Sequence, residues 1–174
     1  MRLIKNSGND RVIDELRHCL QGKSSLDIAS PSFSLFAFSE LQDQLANIGA
    51  ARLALPSPEK HDWELLGGDS DRAFRNRLQV RWLAKQCAEW VGKKVEVKQA
   101  SSTIPQSAMV VRGDDGLPNR VITGTSSFTT SGLGLPPSQQ FSLIQSAENA
   151  AECSLLASWF DGLWASRGPE GAPQ

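Results

Sequence analysis

Between Pro105 and Leu135 the chain reads PQSAMVVRGDDGLPNRVITGTSSFTTSGLGL, and polar groups able to hold an anion gather there. A short apolar run, Ala108–Arg112, leads into the turn Asp114-Asp115-Gly116. A second run, Arg120–Thr123, ends in the small hydroxyl-rich segment Gly124-Thr125-Ser126-Ser127-Phe128-Thr129. Hydroxyls and backbone N–H groups from Thr123 to Ser131 could hold an anion, as loops and helix N-termini do. The same groups could equally satisfy their own backbone. No histidine falls within the stretch. The two histidines of the chain are His18, inside the first predicted helix, and His61, in a loop far upstream.

A second group of interest is basic. Arg72, Arg75, Arg77, Arg81 and Lys85 share one predicted helix, and Arg77, Arg81 and Lys85 recur at i, i+4, i+8. Such a stripe suits contact with a phosphate backbone, so Arg75, Arg77, Arg81 and Lys85 are the candidate nucleic-acid ligands. It also suits a solvated helix face held by Asp71–Arg75 and Lys85–Glu89 pairs, each worth only ~0.3–0.5 kcal/mol. A net charge of −1 lends nucleic acid no bulk support, so any binding must come from a local patch. Asp27, within a predicted strand, reads as an edge or strand-end carboxylate and not as a catalyst.

The elements that must position these groups alternate. Arg2–Lys5 predicts an edge strand. A helix over Asp10–Gln21 follows, capped by Ser7 or Asn9 and ended by Gly22. Leu26–Ala29 predicts a strand, Ser34–Ile48 a helix, and Ala51–Leu55 another strand. Residues 56–70 read as a loop before the longest helix, Asp71–Gly92, with Asp69 or Ser70 as its cap. Val95–Gln99, the two runs of the Pro105–Leu135 stretch and Phe141–Gln145 complete the strands. A last helix starts near Asn149, where Glu152 three residues on suggests a capping box. Trp82, Trp90, Trp159 and Trp164 fall at core spacing, which favours packing over base stacking, while Trp63 lies in a loop. Alternating strands and helices predict an α/β sandwich, a mostly parallel or mixed sheet flanked by helices. Residues 1–167 form the domain, and Gly168–Gln174 is a Pro/Gly-rich tail or linker.

The order of the Pro105–Leu135 stretch resembles one signature half of the phospholipase D-like superfamily. That half is written H-x-K, a few residues, D, then a strand and G-[ST]-x-N-[FL]-[ST]. Laid on this chain, the histidine position falls on Gln106, the lysine position on Ala108 and the asparagine position on Ser127. Asp114 roughly meets the aspartate, and Gly124, Thr125, Phe128 and Thr129 match. In the superfamily the histidine attacks phosphorus and forms a covalent intermediate, while lysine and asparagine neutralise the phosphoryl oxygens. Gln106 offers a weakly nucleophilic amide and Ala108 no donor at all. The resemblance therefore implies a vestigial pocket of Gln106, Ala108, Asp114, Gly124, Thr125 and Ser127, with no catalytic residue. Small bacterial members complete the site by pairing two halves across a two-fold axis, which implies a homodimer here.

The opening IKNSGNDRVIDELR, the run LDIASPSFSLFAFSEL, the helix DRAFRNRLQVRWLAKQCAEW and the ending FTTSGLGL widen the likeness to about residues 2–165. They resemble a bacterial subgroup whose phospholipase D-like domain often precedes a Swi/Snf-type or DEAD/DEAH helicase in phage-defence and DNA-processing systems. A helicase, on the same polypeptide or as a separate subunit, is thus an implied partner. This chain holds no GxxxxGK[ST] loop, so no ATPase is read in it.

At 174 residues the chain has one domain's length, enough to remove roughly 70% of its unfolded surface from water. The three cysteines are far apart and lack a C-x-x-C or Cys/His cluster, which argues for core thiols in a reducing cytoplasm and against zinc or another cofactor. No signal peptide and no apolar run of ~20 residues stands out, so no membrane is expected. Two functions follow. The first is a non-catalytic module for dimerisation, DNA or partner binding. The alternative is a phosphodiesterase or nuclease with a divergent site that recruits His61.

Overall fold

The computed structural model describes residues 1–56, 77–100, 104, 106–135 and 142–166. Among these residues seven strands form one mixed sheet: β1 (Arg2–Ile4), β2 (Ser25–Ala29), β3 (Ala50–Pro56), β4 (Val95–Ala100), β5 (Ser107–Arg112), β6 (Pro118–Gly124) and β7 (Ile144–Ala147). Their order is β1-β7-β6-β5-β2-β3-β4. The β2–β3 and β3–β4 pairings are parallel, and the others antiparallel. Among the described residues five helices join them: α1 (Val12–Cys19), α2 (Leu35–Glu40), α3 (Gln42–Asn47), α4 (Arg77–Lys94) and α5 (Ala150–Ala165).

Alternation along the strands divides the core into two layers. Leu26, Ile28, Leu53, Met109, Val111 and Ile122 pack with Val12, Ile13 and Leu16 of α1, Phe38 of α2, Leu45 of α3 and Trp90 of α4. Ala54, Val110 and Val121 face the other way, against Cys153, Ala157, Phe160 and Trp164 of α5. The fold is the expected α/β sandwich: a mixed sheet with helices on both faces.

Several local expectations are corrected. The predicted Ser34–Ile48 helix breaks at Leu41, where φ −109° and ψ 10° leave helical geometry. The Leu41 N–H reaches back three residues to the Phe38 carbonyl at 3.1 Å. Phe38, Leu41 and Leu45 are all buried across this break. Helix α1 starts at Val12, not Asp10, because Asp10 accepts from the Lys5 N–H and from Arg2. Its first N–H donates to Asn6 Oδ1 at 3.1 Å, a role expected of Ser7 or Asn9. The last strand lies over Ile144–Ala147 instead of Phe141–Gln145, because pairing with both β6 and β1 runs on to its small residues. Phe141 lies outside the described residues.

Asn149 caps α5 by accepting the Glu152 N–H at 2.8 Å. Only half of the capping box forms, since the Glu152 carboxylate pairs with the N-terminal amine at 3.0 Å instead. Trp90 and Trp164 are buried as expected, whereas Trp82 and Trp159 stand 55% and 52% exposed. Both misplaced indoles occupy the solvent faces of helices already anchored by another stripe. Trp63, His61, the proposed caps Asp69 and Ser70, and the 168–174 tail lie outside the described residues.

Candidate functional site

The β5–β6 hairpin positions the motif. Ser107 pairs with Gly124, which brings Gln106 and the Thr125–Ser127 segment to one end of the sheet. Gly124 has φ 137°, and a Cβ there would stand 2.1 Å from the Leu143 carbonyl oxygen. Only glycine fits this approach of β6 to the chain entering β7. Phe128 is fully buried and stacks on Phe33 with ring centroids 5.0 Å apart. Its N–H donates to Ser30 Oγ at 2.9 Å, and its carbonyl accepts the Ser34 N–H at 2.9 Å. The hydroxyl-rich segment is therefore clamped to the chain leaving β2.

Gln106 is exposed, while Ala108 is 2% exposed and paired between Ala29 and Thr123. The hydroxyls mostly serve one another. Ser127 Oγ lies 2.8 Å from Thr129 Oγ1, which accepts the Gly132 N–H at 3.1 Å. Ser107 Oγ lies 3.4 Å from Ser126 Oγ and donates to the Gly124 carbonyl at 3.3 Å. The concavity bounded by Asn6, Thr125, Ser126, Ser127 and Gly132 holds about 70 Å³. That is room for about two waters at ~30 Å³ each, far below a usual ligand pocket of ~300 Å³ or more.

Of the expected pocket, Thr125 and Ser127 line this concavity, while Gln106, Ala108 and Gly124 lie at the same end of the hairpin without lining it. Asp114 does not join them. It lies exposed in the turn closing the opposite end of the hairpin, where the Gly113 N–H donates to the Leu117 carbonyl. Six extended residues carry it ~20 Å away. Sequence reasoning missed Asn6, whose Nδ2 donates to the Gly132 carbonyl at 2.9 Å. Its signal was the turn-forming Asn-Ser-Gly run, with Asn6 itself at φ 56°.

Asp27 is corrected from edge carboxylate to the centre of a charge network on a central strand. Its side chain is 3% exposed and accepts from Arg52 Nε at 2.8 Å and Nη2 at 2.7 Å. Arg112 Nε adds a third bond at 2.9 Å. Both arginines also reach Asp161 of α5, at 3.1 and 3.0 Å. Arg52 lies over the rings of Phe160 and Trp164, 5.1 and 5.3 Å from their centroids. The hydrogen bonds it donates to Asp27 hold the Arg52 guanidinium further into its charged form. A groove of about 550 Å³ opens beside this network, between the starts of β3 and β4 and the end of α4. Its arginines are already engaged by carboxylates, so the network serves to tie α5 to the sheet.

The basic stripe lies on α4. Arg81 and Lys85 are exposed, and neither makes an ion pair among the described residues, so the expected Lys85–Glu89 pair does not form. Arg75 and Asp71 lie outside the described residues, and of Arg77 only the backbone is described. Burial pushes the Cys87 thiol up to about 11 and raises those of Cys19 and Cys153, so none of the three is a ready nucleophile. Among the described residues, no group of three or more His, Cys, Asp or Glu could hold a metal ion. No helix among them is long and apolar enough to cross a membrane.

No protein-family model and no curated protein matches the sequence. Similarity appears in solved structures. TrmBL2, an archaeal chromatin protein with a novel mode of DNA binding, overlays with a TM-score of 0.50 at 10% identity, over 96% of this chain and 51% of that one. The chain thus spans about half of TrmBL2 and shares the fold of that half. Nuc from Salmonella typhimurium, a phospholipase D family member, overlays with a TM-score of 0.49 at 12% identity, over 92% of this chain and 89% of Nuc.

Proposed function

We propose that this chain is a non-catalytic phospholipase D-like module that binds nucleic acid as a homodimer, in service of a helicase-linked DNA-processing or phage-defence machine. The observation that carries the reading is what occupies the hairpin end: an amide, a buried methyl and hydroxyls bonded to one another. Phosphodiester cleavage by the family's route needs a nucleophile and a cation there, and Gln106 and Ala108 supply neither. The remaining cleft would hold at most a phosphate.

Binding is assigned to α4. This helix carries five of the chain's 18 basic residues and one of its 19 acidic ones, leaving 13 against 18 elsewhere. A polyanion is steered to such a local excess even when the whole protein is slightly acidic. A chromatin protein sharing the fold makes DNA the first ligand to test. The exposed position of Gln106 and Thr125 leaves the hairpin end free to meet a second copy across a two-fold axis.

Anisotropy titrations with labelled DNA at rising salt test the binding, and sedimentation tests the dimer. The expected result is affinity that falls steeply with salt and is lost in the Arg81→Glu, Lys85→Glu double variant. Absence of binding at low salt overturns the nucleic-acid assignment, and a monomer at all concentrations overturns the dimer.

A further inference from the structure

We infer that Trp82 is a stacking platform for unpaired bases, so that the strand taken by α4 is single. The inference rests on the nucleic-acid reading above and names the strand form and the residue that selects it.

Helix α4 is fixed by one stripe. Leu83, Cys87 and Trp90 are buried, Trp90 donates its Nε1–H to the Leu45 carbonyl at 2.9 Å, and its ring lies 5.3 Å from that of Phe38. Trp82 precedes this stripe by one position, ~100° around the helix, and cannot turn inward without pulling Leu83 out. It stands 55% exposed with Arg81 and Lys85 beside it, both exposed and without an ion-pair partner among the described residues. The same flank continues past Gln86 to a groove of about 250 Å³ edged by Gln42, Glu89 and Lys93.

An indole in water flanked by free cations suits a ligand that is aromatic and anionic at once. A single strand offers both, phosphates for the cations and an open π-face for the indole. In a duplex the bases are already stacked on one another, and reaching a π-face requires unstacking a step. A wholly apolar protein partner would bury Arg81 and Lys85 without counter-charge.

The test is anisotropy with labelled oligothymidine and with a duplex of equal length, for wild type, Trp82→Ala and Trp82→Phe, each variant checked by circular dichroism. Trp82→Ala should weaken oligothymidine binding roughly five- to 150-fold, and Trp82→Phe should recover most of it. The duplex should change by less than about twofold, since its contacts are to phosphate. Unchanged oligothymidine affinity in Trp82→Ala, with binding still lost in the Arg81→Glu, Lys85→Glu double variant, overturns the stacking role and leaves the nucleic-acid reading standing. Wild-type protein that binds neither strand at low salt overturns both. If its solution mass then falls on Trp82→Ala, the face is a protein interface instead.

Discussion

Ser107 and Gly124 face each other where β5 begins and β6 ends, with Ser107 Oγ donating to the Gly124 carbonyl at 3.3 Å. This pair sets the end of the hairpin and so decides which motif residues meet. Gly124 is the constrained partner, with φ 137° and the Leu143 carbonyl where a Cβ would go. Gly124→Ala should cost about 3 kcal/mol or more in urea unfolding, from backbone strain and overpacking together. Thr125→Ala, one residue on and exposed, should stay within about 0.5 kcal/mol of wild type.

The Asp27 network separates a buried partner from an exposed one. Asp27→Ala leaves Arg52 and Arg112 with half their counter-charge inside the fold and should destabilise by about 3–5 kcal/mol. Asp161→Ala removes a carboxylate that is 51% exposed and should cost no more than about 1 kcal/mol. Equal losses from the two variants would contradict this assignment.

The tryptophans divide in the same way. Trp164→Ala, which empties the α5 layer beneath Arg52, should cost about 3–5 kcal/mol. Trp159→Ser on the outer face of the same helix should change the unfolding midpoint little, within about 0.5 kcal/mol.

Acid stability follows from two carboxylates. Asp10 is held below the usual carboxylate range by the Lys5 N–H and by Arg2, and Asp14 by Arg11. A lowered folded pKa contributes stability that is complete above the unfolded value of 3.8 and is lost as pH falls through the folded one. Urea midpoints should therefore hold level down to about pH 5 and decline below about pH 4. Asp10→Asn should lower the plateau and flatten part of that decline. A midpoint already falling near pH 6 would contradict the assignment.

Much of the fold was legible because strand alternation and helical spacing survive into the two core layers. Leu16, Phe38, Leu45 and Trp90 are buried where their periodicity places them. The break at Leu41 was not legible, since Leu35, Phe38, Leu41 and Leu45 keep one helical period across it. Trp82 and Trp159 misled because hydrophobicity alone does not say which of two apolar stripes a helix buries. Within the candidate site, Gly124 and Phe128 were marked only by the resemblance to the family signature. Asp114 was placed there by its rough match to the motif's aspartate, and the extended β5 strand carries it to the other end of the hairpin. Asp27 needed partners 25 and 85 residues away, Arg52 and Arg112, and no local signal announces such pairings.

Nucleic acid that is held and not cut should survive a metal-free phosphodiesterase assay on single- and double-stranded DNA. Repurified protein at a concentration that saturates the DNA should cleave no more than buffer does. Cleavage that survives repurification and disappears in His61→Ala would contradict the account.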